Sequence, residues 1–249
     1  MTPVLEGRRI LVTGGATGIG AAAVRVLHAA GATVAATYHN SRPATELPVA
    51  WLHCDLRDEA AVTGTVRSAA GTLGGLDVLV HAAGLWRGGF PGAITGADVD
   101  ALFDTNFKTT VFTNQAAHAV MRENGGRIIN FGSAEAVLGS PMSPIYAATK
   151  AAVQAWTRSA AKAWAADQVT VNALAPAVQT PGADRLREFL GPAAEHLDAQ
   201  LKATIPLRGA LGDPERDLGP VLVFLAGTGS GFITGQLLPV DGGLLMLGA

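Results

Sequence analysis

Seven short runs rich in β-branched and aliphatic residues recur along the chain, most of them separated by stretches of helical length. They lie at 9–12 (RILV), 33–36 (TVAA), 49–52, 76–80 (LDVLV), 127–131 (RIINF), 169–174 (VTVNAL) and 237–240. Ala-rich segments at 18–30, 59–73, 99–121 and 145–166 stand between them. Strands alternating with helices build βαβ units and hence a parallel sheet, and a strand covered on both faces is apolar throughout rather than alternating. The expectation is an α/β protein of three layers, helix, sheet, helix. No repeat, linker or composition break interrupts the pattern, so residues 1–249 read as one domain.

Composition removes several function classes. The chain is 49% hydrophobic and 15% charged, which excludes a solvated disordered chain. A net charge of −2 supplies no attraction to nucleic acid or anionic lipid. The single cysteine, Cys54, permits no internal disulfide and no Cys-rich zinc site, and no metal is expected. The longest uncharged run, 218–240, holds five glycines and two prolines, a poor match to a membrane span. Glu6, Arg8 and Arg9 before the first run do not resemble a secretory signal. A soluble, cytoplasmic protein is expected.

Directly after the first run stands TGGATGIG, residues 13–20, followed by an Ala-rich segment. Glycines there allow positive φ and let backbone approach a pyrophosphate, while the next helix offers free N–H groups to an anion. The spacing G-x-x-x-G-x-G differs from the G-x-G-x-x-G of the usual dinucleotide fingerprint. Gly14, Thr17, Gly18, Ile19 and Gly20 are the candidate phosphate contacts. Further on, Tyr146 and Lys150 stand four apart at the start of a helical segment, hence on one face. A neighbouring ammonium favours the phenolate, so Lys150 is expected to lower the Tyr146 pKa toward neutrality and make a general acid/base. The segment 181–212, with its PG, GP and GDP punctuation, reads as a lid over a ligand, a plain surface excursion being the alternative.

TGGATGIG at 13–20, Asn106 in DTNFKTT, Ser133 in IINFGS, YAATK at 146–150, VNALAP at 171–176 and DGG at 241–243 occur in this order. Together they resemble the short-chain dehydrogenase/reductase family over essentially the whole chain. The resemblance implies a Rossmann-type doubly wound parallel sheet and hydride transfer between a nicotinamide dinucleotide and a ketone or secondary alcohol. It implies that Ser133 hydrogen-bonds the reacting oxygen and Tyr146 exchanges its proton. Lys150 would hold the nicotinamide ribose, and Asn106 would bend its helix and order a proton-relay water. Asp55, with Leu56 beside it, would contact adenine, although Asp55 is also a candidate helix N-cap. Ala82, Ala83 and Gly84 would border the dinucleotide, and Pro176, Val178 and Thr180 the nicotinamide.

Three departures from the family pattern carry expectations of their own. HAAG at 81–84 replaces the usual NAAG, and His81 reads as a structural hydrogen-bonding substitute. The turn at 175–180 (APAVQT) is one residue short, lacking the family's glycine, which alters the entry to the lid. No acidic residue occurs between Glu6 and Glu46, where NAD binding calls for a carboxylate. Tyr38, His39, Asn40, Ser41 and Arg42 occupy that stretch and suit a 2′-phosphate, so NADP(H) is favoured, NAD(H) being the alternative.

Trp86, Glu135, Val137, Met142 and Phe189 are the candidate substrate contacts, with Leu85, Leu138 and Leu190 nearby. They are mostly apolar, which suits a small carbonyl or alcohol with hydrophobic bulk; Glu135 is expected to meet a polar substrate group. The apolar ending Leu244-Leu245-Met246-Leu247 and the small residues Ala147, Ala151 and Ala155 point to a homotetramer. Other readings are a 3-oxoacyl-carrier reductase, for which only Arg158 and Lys162 could form a docking patch, a silent dinucleotide-binding regulator, and a lyase or epimerase.

Overall fold

A computed structural model describes residues 4–40, 43 and 47–247. Seven strands form one sheet: β1 (Arg9–Thr13), β2 (Thr33–Tyr38), β3 (Ala50–His53), β4 (Val78–His81), β5 (Gly126–Phe131), β6 (Val169–Pro176) and β7 (Leu237–Val240). Every pairing is parallel, in the order β3-β2-β1-β4-β5-β6-β7. The order reverses between β1 and β4, the switch point where open α/β sheets bind ligands beyond their carboxyl ends.

The continuous apolar runs are explained by burial on both faces. Successive residues of one strand enter opposite layers: Ile10 and Val12 pack on one side, Leu11 on the other. Val78 and Val80 are likewise separated from Leu79. The first layer packs under α1 (Gly18–Ala29) and the second under α2 (Glu59–Leu73). Asp58, not Asp55, caps α2, its carboxylate accepting the Ala61 N–H at 3.0 Å. The capping role expected of Asp55 is therefore corrected.

The helix expected over 99–121 is three pieces: α3 (Gly96–Leu102), a π-helical segment (Phe103–Lys108) and α4 (Thr109–Met121). A capping box between Thr95 and Asp98 sets the start, earlier than the apolar pattern suggested. After β5 come the short α5 (Glu135–Leu138) and the long α6 (Pro144–Ala163). The 181–212 excursion contains α7 (Pro181–Leu190) and α8 (Ala194–Thr204) and leads to a π-helical turn (Pro214–Leu218) and α9 (Gly219–Ala226), which packs against α1.

The two ends of that excursion are pinned together. Gln179 N–H donates to the Gly212 carbonyl at 2.9 Å, and Gly212 N–H donates to the Ala177 carbonyl at 2.9 Å. The short turn thus continues the line of β6 and uses Gly212 as its partner. At the chain end Leu245 is buried, whereas Met246 and Leu247 are exposed, so the terminal apolar run is not uniformly on the surface. Among the described residues no helix is long and apolar enough to cross a membrane.

Candidate active site

One cavity of about 770 Å3 opens at the carboxyl end of the sheet. Its floor is the turn after β1. Gly14 has φ +64°, and a Cβ there would lie 2.8 Å from Ala83 Cα, so only glycine lets the two loops meet. Gly14, Thr17, Gly18 and Ile19 line the cavity. Gly20 does not; it lies against the Gly14 backbone, where a side chain would collide, so its part is to seat α1 on the turn.

One end of the cavity is bordered by Tyr38, His39, Asn40, Asp55 and Leu56. Ser41 and Arg42 lie outside the described residues. Asp55 is held by Arg57, whose Nη2 donates to Asp55 Oδ2 at 2.7 Å, with His39 Nε2 3.8 Å away. The Arg57 hydrogen bonds keep the Asp55 carboxyl far below the usual carboxylate range. Arg57, a cavity residue that sequence reading missed, announces itself only through this pairing. Ala82, Ala83, Gly84, Pro176, Val178 and Thr180 border the middle of the cavity.

Ser133, Tyr146 and Lys150 come together at the other end. Ser133 Oγ accepts the Glu135 N–H at 3.1 Å, which leaves the hydroxyl proton available for donation, and its interaction with the Tyr146 phenol pulls that pKa down. Lys150 Nζ donates to the Phe131 carbonyl at 2.9 Å and sits 5.7 Å from the Tyr146 ring centroid. Burial pushes the Lys150 pKa down to about 8.

Tyr146 departs from expectation. Burial pushes its phenol upward, the Glu135 carboxylate adds to that, and the opposing pulls of Ser133 and Arg185 are weaker. The i, i+4 lysine does place an amine nearby, but loss of water around the phenol outweighs it. The expected shift toward neutrality is corrected: the group is held in its acid form.

Asn106 lies in the π-helical segment, buried and fully engaged. Its Oδ1 accepts the Leu85 N–H at 2.7 Å, and its Nδ2 donates to the Leu85 carbonyl at 2.9 Å and to Thr149 Oγ1 at 3.1 Å. His81 is enclosed by threonines, with Thr13 and Thr113 hydroxyls each 2.9 Å from Nδ1. Burial, with the Lys150 charge, lowers its pKa to about 3, so the ring is neutral.

The candidate substrate residues divide. Trp86 lines the cavity beside Leu85. Phe189 lies over a smaller adjoining cavity, its ring 6.0 Å from Trp86 and 5.5 Å from Phe90. Val137 is largely exposed, and neither it nor Met142 borders either cavity. Glu135 does not line the cavity: its carboxylate is taken up by the Ser143 hydroxyl at the N-terminus of α6. The substrate contact expected of it is replaced by an internal one. Arg185 on α7, absent from the sequence reading, borders the cavity.

The family model described as enoyl-(acyl carrier protein) reductase matches residues 14–245. The chain belongs to the short-chain dehydrogenase/reductase family. It is accordingly an oxidoreductase of a family that binds NAD(P)(H). It is 32% identical to the 3-oxoacyl-acyl-carrier-protein reductase of Thermotoga maritima, covering 97% of this chain and 99% of that one. It is 33% identical to the 2-dehydro-3-deoxy-D-gluconate 5-dehydrogenase of Escherichia coli, covering 97% and 96%. A short-chain dehydrogenase/reductase structure from Serratia marcescens superposes with a TM-score of 0.83 at 32% identity, over 97% of this chain and 99% of that one.

The cavity fits the dinucleotide of this family. The glycine turn offers backbone donors against the start of α1, a cradle that a Cβ would fill. The buried Lys150 supplies a cation to the far end.

Proposed function

We propose that this enzyme transfers hydride between NADP(H) and a ketone or secondary alcohol, with Tyr146 as the general acid/base. The reading is carried by one observation: Ser133, Tyr146 and Lys150 border the same cavity as the Gly14–Gly18 turn. When bound, the reduced nicotinamide supplies the hydride. The proton work belongs to side chains. The Ser133 hydroxyl donates to the substrate oxygen, and Tyr146, protonated by virtue of its environment, gives up its proton as that oxygen becomes negative. Lys150, with the protons not engaged by Phe131, would hold ribose hydroxyls of the dinucleotide, and its charge balances the developing phenolate. Asn106 acts by positioning, locking the Leu85 backbone to α6 through Thr149.

NADP(H) is preferred because the end of β2 carries Tyr38, His39 and Asn40 in place of the carboxylate that would repel a 2′-phosphate there. Thr180 and the α7–α8 excursion close over the bound pair as a lid hinged at Gln179 and Gly212. Homotetramer formation would cover the exposed Phe224 and Phe232 together with Met246 and Leu247. The enzyme works in the cytoplasm on a free small-molecule substrate. Relatives named as carrier-protein reductases favour a second reading, reduction of a carrier-bound 3-oxoacyl chain.

The test follows nicotinamide absorbance over a panel of neutral ketones and oxo acids, with NADPH against NADH, for wild type and Tyr146→Phe on whichever compounds wild type turns over. Turnover lost by at least a hundredfold in the variant is expected. Equal turnover in both proteins removes the proposal.

A further inference from the structure

Arg185 is a cation bordering the catalytic cavity that no other described residue pairs with. It sits on α7, just after the Thr180 N-cap and the small residues Gly182 and Ala183. The lack of a side chain at Gly182 leaves room at this point: a methyl there would lie 3.8 Å from both Arg185 Nη2 and Trp86 Cβ. The guanidinium therefore stands near Trp86 and borders the same cavity as Tyr146 and Ser133. Its positive charge pulls the Tyr146 pKa down, the weakest of the influences on that phenol.

Two neighbouring charges of the same helix, Asp184 and Arg187, are engaged, while the Glu188 side chain has no hydrogen bond or ion pair among the described residues. Arg187 pairs with Asp198 at 3.0 Å and donates to Gln179 Oε1 at 3.1 Å. Asp184 accepts from Gln179 Nε2 at 2.6 Å. Arg185 has no hydrogen bond or ion pair among the described residues. Glu135, whose carboxylate also acts on the Tyr146 phenol, is committed to Ser143. An anionic substrate in the cavity is attracted by Arg185, while Glu135 does not border the cavity. The planar fork of an arginine matches the two oxygens of a carboxylate.

We propose that Arg185 is a specificity-determining residue that binds a carboxylate on the carbonyl substrate, so that the enzyme's substrates are oxo acids rather than neutral ketones. This rests on the reading of Tyr146 as the proton donor. The apolar part of such a molecule lies against Trp86 and Leu85, and its carbonyl reaches Ser133 and Tyr146.

The test uses 2-, 3-, 4- and 5-oxo acids, each beside its methyl ester, with wild type, Arg185→Gln and Arg185→Lys. Wild type is expected to favour at least one acid over its ester. In Arg185→Gln that acid-to-ester ratio of kcat/KM falls about ten- to a hundredfold, with partial recovery in Arg185→Lys. An unchanged ratio overturns the proposal. So does a parallel loss on acid and ester with a raised KM for NADPH, which would assign the guanidinium to the dinucleotide phosphates. Calorimetric titration of the NADP-saturated proteins with the same acids reads binding without chemistry. If no acid binds wild type more tightly than Arg185→Gln, the inference fails even where neutral ketones are reduced. If acids bind in an Arg185-dependent way and no carbonyl turns over, it is the proton-donor reading that fails.

Discussion

Asn106 grips both backbone polar groups of Leu85, accepting from its N–H at 2.7 Å and donating to its carbonyl at 2.9 Å. A residue in a π-helical turn thereby fixes the loop that follows β4 and, through Thr149, ties that loop to the helix bearing Tyr146. Replacing Asn106 by Ala strands partly buried polar groups at a cost of about 1–3 kcal/mol each. A lower melting temperature is expected together with a fall in kcat larger than the change in KM. Unchanged stability by thermal unfolding would contradict this account.

His81 makes the fold sensitive to acid. Its pKa is about 3 folded against an ordinary 6.5, so the unfolded chain takes up the proton first. As pH falls below 6.5, stability declines with it, a loss complete only below pH 3. Between pH 7 and 5 this ring accounts for about 2 kcal/mol. Urea titrations of His81→Asn at those two pH values are expected to show a smaller drop than wild type. An identical drop would mean that the ring charges freely in the native state.

Glu135 should be visible in the pH profile of alcohol oxidation. That direction requires the phenolate, and burial together with the Glu135 carboxylate holds the phenol up. Glu135→Gln removes the like charge, so the alkaline rise of kcat/KM moves to lower pH. A rise at the same pH in both proteins would show that the carboxylate does not reach Tyr146.

Gly14→Ala tests the cradle. The new methyl would stand 2.8 Å from Ala83 Cα at a φ of +64°, so the two loops must part. A loss of about 1–3 kcal/mol in stability is expected, with weaker dinucleotide binding. Calorimetric NADPH titration checks the second effect; affinity equal to wild type would count against the turn as the phosphate site.

Much of the architecture was legible because local pattern reports local constraint. Runs such as VLV in β4 are apolar on both faces, which only a doubly covered strand requires. The glycines after β1 are read directly, because no other residue tolerates that backbone and that approach. The break in the 99–121 helix was hidden, since a π turn uses the same residue types as an α turn and arises from what Asn106 must reach. Arg57 and Arg185 were invisible for a related reason: an arginine on a polar face declares nothing until the chain brings it to a cavity.

By itself the sequence determined the order of elements, the phosphate turn, and the spacing that puts Tyr146 and Lys150 on one face of a helix. Only the tertiary structure decided the electrostatics of that pair. Spacing specifies which groups are neighbours, whereas proton affinity depends on the water excluded and on charges arriving from α5 and α7, segments remote in the chain.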